Sequence, residues 1–205
     1  MKKLFRLDPA ADFVAIDVET TGYSTRLDVI VEIGALRYRN GVEVDRLVTL
    51  VKPGMAMLPW ITRLTGITDE MLARAPQPDS VAARLKRFLS RRPLVVHNAA
   101  FDVPILERFL SRFAFGRRPG NHGNHGMGGN RWQAPPVLCT LRLSRWLLPH
   151  LHSRRLSALA EYFDFSPQAL NSRVRFHRAG VDAEATAHVF FRLASMLARE
   201  GGVPK

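Results

Sequence analysis

The chain has a single cysteine, Cys139, in 205 residues. That excludes an internal disulfide and a thiolate-based metal cage, and it suits a reducing compartment. No apolar run approaches the roughly 20 residues of a membrane span. The basic start is followed by Asp8 and Asp12 before any apolar stretch of signal-peptide length, so a cytoplasmic protein with no membrane partner is expected. Internal repeats are absent. Negative charge is scarce, with 18 Asp and Glu against 30 Lys and Arg, a formal net charge of +12. The excess is almost all arginine, whose forked guanidinium matches phosphate geometry, so nucleic acid is the first partner to consider. A hydrophobic content of 46% is enough to bury one sizeable core, and one domain over residues 1–205 is the expectation.

Against that basic background stands the stretch Phe13 to Gly22, Phe-Val-Ala-Ile-Asp-Val-Glu-Thr-Thr-Gly, an apolar run interrupted by Asp17 and Glu19. Strand side chains alternate faces, so Ile16 and Val18 point toward a core while Asp17 and Glu19 share the other side. Two carboxylates held together repel unless a cation compensates them, and Mg²⁺ or Mn²⁺ suits hard oxygen ligands. Thr20, Thr21 and Gly22 end the strand in a polar turn.

Two further strands are predicted over 29–39 and 42–51. Asn40-Gly41 between them is a strong hairpin signal, so the first three strands should form an antiparallel meander. Residues 53–59 read as a loop, and Thr68 should cap a short helix that carries Asp69 and Glu70 in its first turn. Pro76 and Pro78 break the chain before a helix capped by Asp79 or Ser80, with Val81, Leu85, Phe88 and Leu89 on one face. Leu94 to His97 reads as a buried fourth strand, and Asn98 to Asp102 leads into a helix with Leu106, Phe109, Leu110 and Phe113 at core spacing. The stretch 116–136, rich in glycine, asparagine, proline and histidine, is expected to be a mobile surface insertion inside the domain. Its marginal Arg117, Arg118, Arg131 and Trp132 could meet phosphates or bases, and its His122 and His125 are expected to be solvated. A short strand over 137–140 and helices over 141–148, 156–163 and 180–199 complete an α/β layered pattern.

Asp17 and Glu19 end one strand, Asp102 opens the helix after another, and Asp182 opens the last helix five residues after His177. The motifs Phe13–Gly22, His97-Asn-Ala-Ala-Phe-Asp102 and His177-Arg-Ala-Gly-Val-Asp182 resemble those of the DnaQ-like 3'-5' exonucleases, the DEDDh branch of the DEDD superfamily. Val31-Glu-Ile-Gly34, Gly66-Ile-Thr68 and Leu156–Ala160 support the resemblance, which covers roughly residues 12 to 197. It implies a ribonuclease-H-like α/β fold with a mixed five-stranded sheet flanked by helices. It also implies metal ligands at Asp17, Glu19, Asp102 and Asp182, and a general base at His177. Two divalent ions, Mg²⁺ or Mn²⁺, about 4 Å apart can serve an in-line phosphoryl displacement, and a histidine with pKa near 6.5 can take a proton from water at neutral pH. Thr20, Thr21, Asn98 and Phe101 are the implied substrate contacts, with turn capping and core packing as their alternatives. His97 is expected to brace the Asp102 turn.

The implied activity is release of nucleoside 5'-monophosphates from single-stranded 3' ends, with DNA expected first and a DNA polymerase as a candidate partner. Two alternatives stay open: a nucleic-acid-binding or polymerase-associated module without turnover, and an RNA end-trimming exoribonuclease.

Overall fold

The computed structural model describes residues 8, 10–114, 131–166 and 176–199. Most of the predicted insertion, with Arg117, Arg118, His122 and His125, lies outside the described residues.

Five strands form one sheet: β1 (Phe13–Thr20), β2 (Ile30–Arg39), β3 (Val42–Leu50), β4 (Leu94–Val96) and β5 (Val137–Cys139), in the order β3-β2-β1-β4-β5. The first three form the expected antiparallel meander, and β4 and β5 add parallel to β1. Asn40 and Gly41 both take positive φ, 53° and 78°, as a two-residue hairpin that follows the twist of its strands requires. The sheet is therefore mixed, as expected, and β1 sits at its centre with neighbours on both edges.

Strand alternation divides the core. Val14, Ile16, Val18 and Ile33 face α3 (Pro78–Leu89) and α4 (Ala99–Phe113), meeting Val81, Leu85, Ile105 and Leu106. Phe13, Ala15, Leu36 and Val95 face the long α7 (Ala179–Arg199), meeting Ala183, Ala187 and Phe190. Small residues on α7 let its axis lie close to the sheet. Helices α5 (Thr140–Leu147) and α6 (Leu156–Tyr162) cover the outer side of α7 through Leu148, Leu159, Val189 and Leu193.

Three details differ from the sequence expectation. The loop expected over 53–59 runs into a helix, α1 (Pro59–Thr65), with Pro59 in its first turn, where a missing N–H costs nothing. The helix α3 starts at Pro78 after Gln77, so neither Asp79 nor Ser80 is the cap; Pro78 opens the helix instead of breaking the chain before it. Trp132, expected at a solvent-facing margin, is 7% exposed and packed in the core beside α4, where it cannot stack on a base. Its backbone N–H donates to Ser111 Oγ at 3.0 Å, which ties the segment down. The expected cap of α2 (Asp69–Ala73) is present: Thr68 Oγ1 accepts from Met71 N–H.

Candidate active site

Register places the acidic residues. On β1, Asp17 lies opposite Gly34 and Glu19 opposite Glu32, with an irregularity in the pairing between Glu19 and Thr20. Such a bulge re-aims side chains at a strand end. Asp102 is buried in the first turn of α4, and Asp182 is buried in the first turn of α7. The parallel β1–β4 pairing brings the start of α4 to the end of β1, and the packing of α7 across β1 and β2 brings its N-terminal turn to the same place.

Glu19, His177 and Asp182 each present a ligand atom within 4.8 Å of the others. Asp17 and Asp102 join them electrostatically. Burial raises the Asp17 carboxyl well above its ordinary value, and the charges of Asp102, Asp182, Glu19 and Glu32 add to the rise. Burial likewise raises Glu19 to about 8, Asp102 to about 8 and Asp182 to about 7. For Glu19 the charges of Asp182, Glu32 and Asp102 push the same way, while Arg178 opposes them. Four carboxyls whose protonated forms are favoured in the bare protein are a cluster short of positive charge.

The donor set fits a divalent cation. It is made of hard carboxylate oxygens, and Asp182 Oδ1 is buried with no hydrogen-bond partner among the described residues. The other oxygen, Asp182 Oδ2, accepts from the His177 backbone N–H at 3.1 Å. His177 is exposed and sits in the left-handed region at φ 70°, so the chain turns sharply there and the ring reaches the carboxylates from the solvent side. Partial burial lowers its pKa, which favours the neutral imidazole.

Three residues that position this end were not assigned roles from the sequence. Glu32, 1% exposed, accepts from Arg178 Nη2 at 2.6 Å, from Arg178 Nε at 3.0 and 3.1 Å, and from the Ala179 N–H at 2.9 Å. The bonds hold the segment just after His177 to β2. Gly34, two residues along the same strand, lies so close to that segment that a Cβ there would stand 2.0 Å from the Ala179 carbonyl oxygen. The sequence signal was present: a glutamate and a glycine inside the apolar run of β2.

The remaining predicted contacts lie beside Glu19 or Asp102 along the chain. Thr20 and Thr21 are buried, and their hydroxyls bond within the turn, Thr20 Oγ1 to Gly22 O at 2.5 Å and Thr21 Oγ1 to Asp28 Oδ1 at 2.8 Å. Asn98 is exposed in left-handed backbone at the start of α4, where its carbonyl accepts from Phe101 N–H. Phe101 is half-buried against the core. His97 bonds through Nδ1 to Thr140 Oγ1 at 2.9 Å and through Nε2 to the Arg154 carbonyl at 3.1 Å. Burial holds its pKa down at about 4, so it is a neutral brace linking the end of β4 to α5 and to the segment before α6.

The exonuclease family RNase_T matches residues 14–190. This chain belongs to that family. It is a nuclease of DnaQ-like type within the DEDD superfamily, and the matched span contains all five residues of the constellation. The chain is 34% identical over 183 residues to the PolC-type DNA polymerase III of Halalkalibacterium halodurans, covering 89% of this chain and 11% of that protein. It is 35% identical over 190 residues to the PolC-type polymerase of Caldanaerobacter subterraneus, covering 93% and 12%. The chain thus spans a small part of these relatives' length. Exonuclease X in complex with 5' overhanging duplex DNA has the same fold, with a TM-score of 0.67 at 24% identity, covering 93% of this chain and 94% of that one. E. coli Exonuclease I in complex with a dA16 oligonucleotide does also, at 0.65 and 19% identity, covering 92% and 43%. No helix among the described residues is long and apolar enough to cross a membrane.

Proposed function

We propose that this exonuclease works in the 3'-5' direction on single-stranded DNA ends, hydrolysing phosphodiester bonds with divalent metal ions and releasing nucleoside 5'-monophosphates. The observation that carries this reading is the convergence of Asp17, Glu19, Asp102 and Asp182 on one sheet end with His177 beside them. Asp17, Glu19, Asp102 and Asp182 would hold the ions, Mg²⁺ or Mn²⁺, which supply charge stabilisation to the attacking and leaving oxygens of an in-line displacement.

The chain's own groups do the rest. His177, neutral near pH 7 because burial lowers its pKa, accepts the proton of the attacking water at a ring nitrogen. Its backbone N–H fixes Asp182, so base and carboxylate are oriented together. Glu32 and Arg178 hold the His177 turn against β2. The Thr20–Thr21 turn, Asn98 and Phe101 border the carboxylates, where a terminal nucleotide would lie. The hydroxyls of both threonines are committed to the turn, so they shape the nucleotide pocket through the backbone they hold. The arginine excess attracts the rest of the strand.

Similarity to the exonuclease segments of PolC-type polymerases supports a proofreading or repair setting. A time course on matched DNA and RNA oligonucleotides, blocked in turn at either end, tests the reading. Monophosphate release from the 3' end of DNA that stops in excess EDTA is expected. Release from the 5' end, undiminished turnover in EDTA, or faster cleavage of RNA would each overturn part of it.

A further inference from the structure

A cavity of about 400 Å³, within the range of small-molecule sites, opens between the start of β2, the loop after β3, the start of α3 and one face of α4. None of the five carboxylate-site residues lines it. Ile105 and Phe109 line its apolar side together with Phe113, and its cations are Lys52, Arg108 and Arg112, with no carboxylate among the described lining residues. The Arg112 guanidinium lies 5.1 Å over the Phe113 ring, which sets a flat cationic group against a flat apolar one. Such a cavity suits a planar aromatic group that carries an anion. The ring stacks on Phe113 or on the guanidinium plane, and phosphate oxygens meet forked N–H donors. Gln77 also lines the cavity, so a polar residue is among its borders.

The cavity is joined to the active-site turn. Met55, also in its lining, places Sδ 3.9 Å from Thr21 Oγ1. Arg108 donates to the backbone oxygens of Thr25 and Asp28, and the Asp28 carboxylate accepts from Thr21 Oγ1 and from Ser24 N–H. An occupant that touches Arg108 therefore touches the support of the turn that follows Glu19.

We infer that this cavity is a second nucleotide site, taking one base with its phosphate apart from the carboxylate cluster. The choice of ligand rests on the proposed nuclease reaction, whose product is a nucleoside monophosphate. The same chemistry is also offered by an upstream nucleotide unit of the bound strand.

Calorimetric titration of the intact chain with a nucleoside 5'-monophosphate in excess EDTA tests the inference, because phosphate at the carboxylate cluster would be held through divalent ions, which EDTA removes. One saturable site per chain is expected, binding the monophosphate more tightly than the bare nucleoside or inorganic phosphate. Arg112→Glu, at an exposed position, should weaken binding about tenfold or more. Phe113→Ala should weaken it about fivefold or more, and His177→Ala should leave it unchanged. Equal competition by a dinucleotide assigns the cavity to the strand, and absence of competition assigns it to free product. No saturable binding in EDTA, or binding that a folded Arg112→Glu protein keeps in full, overturns the site. No turnover is measured, so failure of the nuclease reading would leave this result standing.

Discussion

Strand β1 is flanked by two aspartates with opposite fates. Asp12, just before the strand, accepts from Arg37 Nε and Nη2 at 2.9 and 2.7 Å, and from Arg39 and Arg92 at 3.1 Å each. The Arg37 hydrogen bonds, aided by the neighbouring guanidinium groups, hold its carboxyl far below the ordinary carboxylate range. Asp17, five residues on, has no guanidinium partner among the described residues; burial and four neighbouring carboxylates drive it the other way. A surplus of cations sits at one end of the strand and a surplus of anions at the other, in a chain whose arginines greatly outnumber its acids. An acidic cluster left short of compensation in so basic a protein fits the divalent ions proposed above.

Removing a carboxylate from either end of β1 separates the two fates most sharply. Asp17→Ala or Asp102→Ala should abolish monophosphate release while raising the melting temperature of the metal-free protein, since a like charge is removed from a desolvated cluster. Asp12→Ala should leave release intact and cost less than about 1 kcal/mol, because its ion pairs are partly exposed and screened. Activity and thermal melts on the same three variants check this, and a fall in the metal-free melting temperature of Asp17→Ala would contradict it.

His177→Ala should lower kcat by about 10²- to 10⁴-fold, the usual share of a positioned acid or base. Binding of divalent ion should be nearly kept. Because burial lowers the imidazole pKa, the wild-type rate should rise with pH, with its midpoint below the ordinary histidine pKa of 6.5. The residual rate of the variant should lack that rise, and an unchanged pH profile would remove the base from the mechanism.

Gly34→Ala tests the scaffold between the two chemistries. An added Cβ would meet backbone of Ala179, which cannot yield without moving the start of α7. We expect a loss of about 1–3 kcal/mol in stability, with a larger fractional loss of kcat because His177 and Asp182 move together. Glu32→Gln should give a milder version, since Arg178 loses its charged partner while the Ala179 N–H keeps an acceptor.

The smallest effect is one of pH on stability without metal. Glu19 and Asp102, raised to about 8, and Asp182, raised to about 7, bind protons more tightly in the folded than in the unfolded chain. Their stabilisation is full below about pH 4 and is lost as pH rises through 7 to 8. Asp12 works in the opposite sense: its folded pKa is depressed, so its contribution is present above the unfolded value and lost as pH falls in the acid range. Melts in EDTA should therefore decline from pH 5 toward pH 8, and added Mn²⁺ should restore more at pH 8 than at pH 6. An EDTA melting temperature that climbs across that window would reverse the assignment.

Alternation along Phe13–Thr20 determined by itself that Ile16 and Val18 are core and that Asp17 and Glu19 share a face, because a strand's period of two leaves no other arrangement. Asn40-Gly41 determined the hairpin, because few residue pairs accept two positive φ angles. The motif residues Asp102, His177 and Asp182 were legible as a set, each at the start of a helix or the turn before it. Only the tertiary structure decided what local pattern cannot carry. It buried Trp132, because packing against α4 outweighs a polar neighbourhood in sequence. It drew Glu32, 146 residues from Arg178, into the support of the His177 turn. It set Gly34 against Ala179, a contact fixed by how closely a helix crosses a sheet.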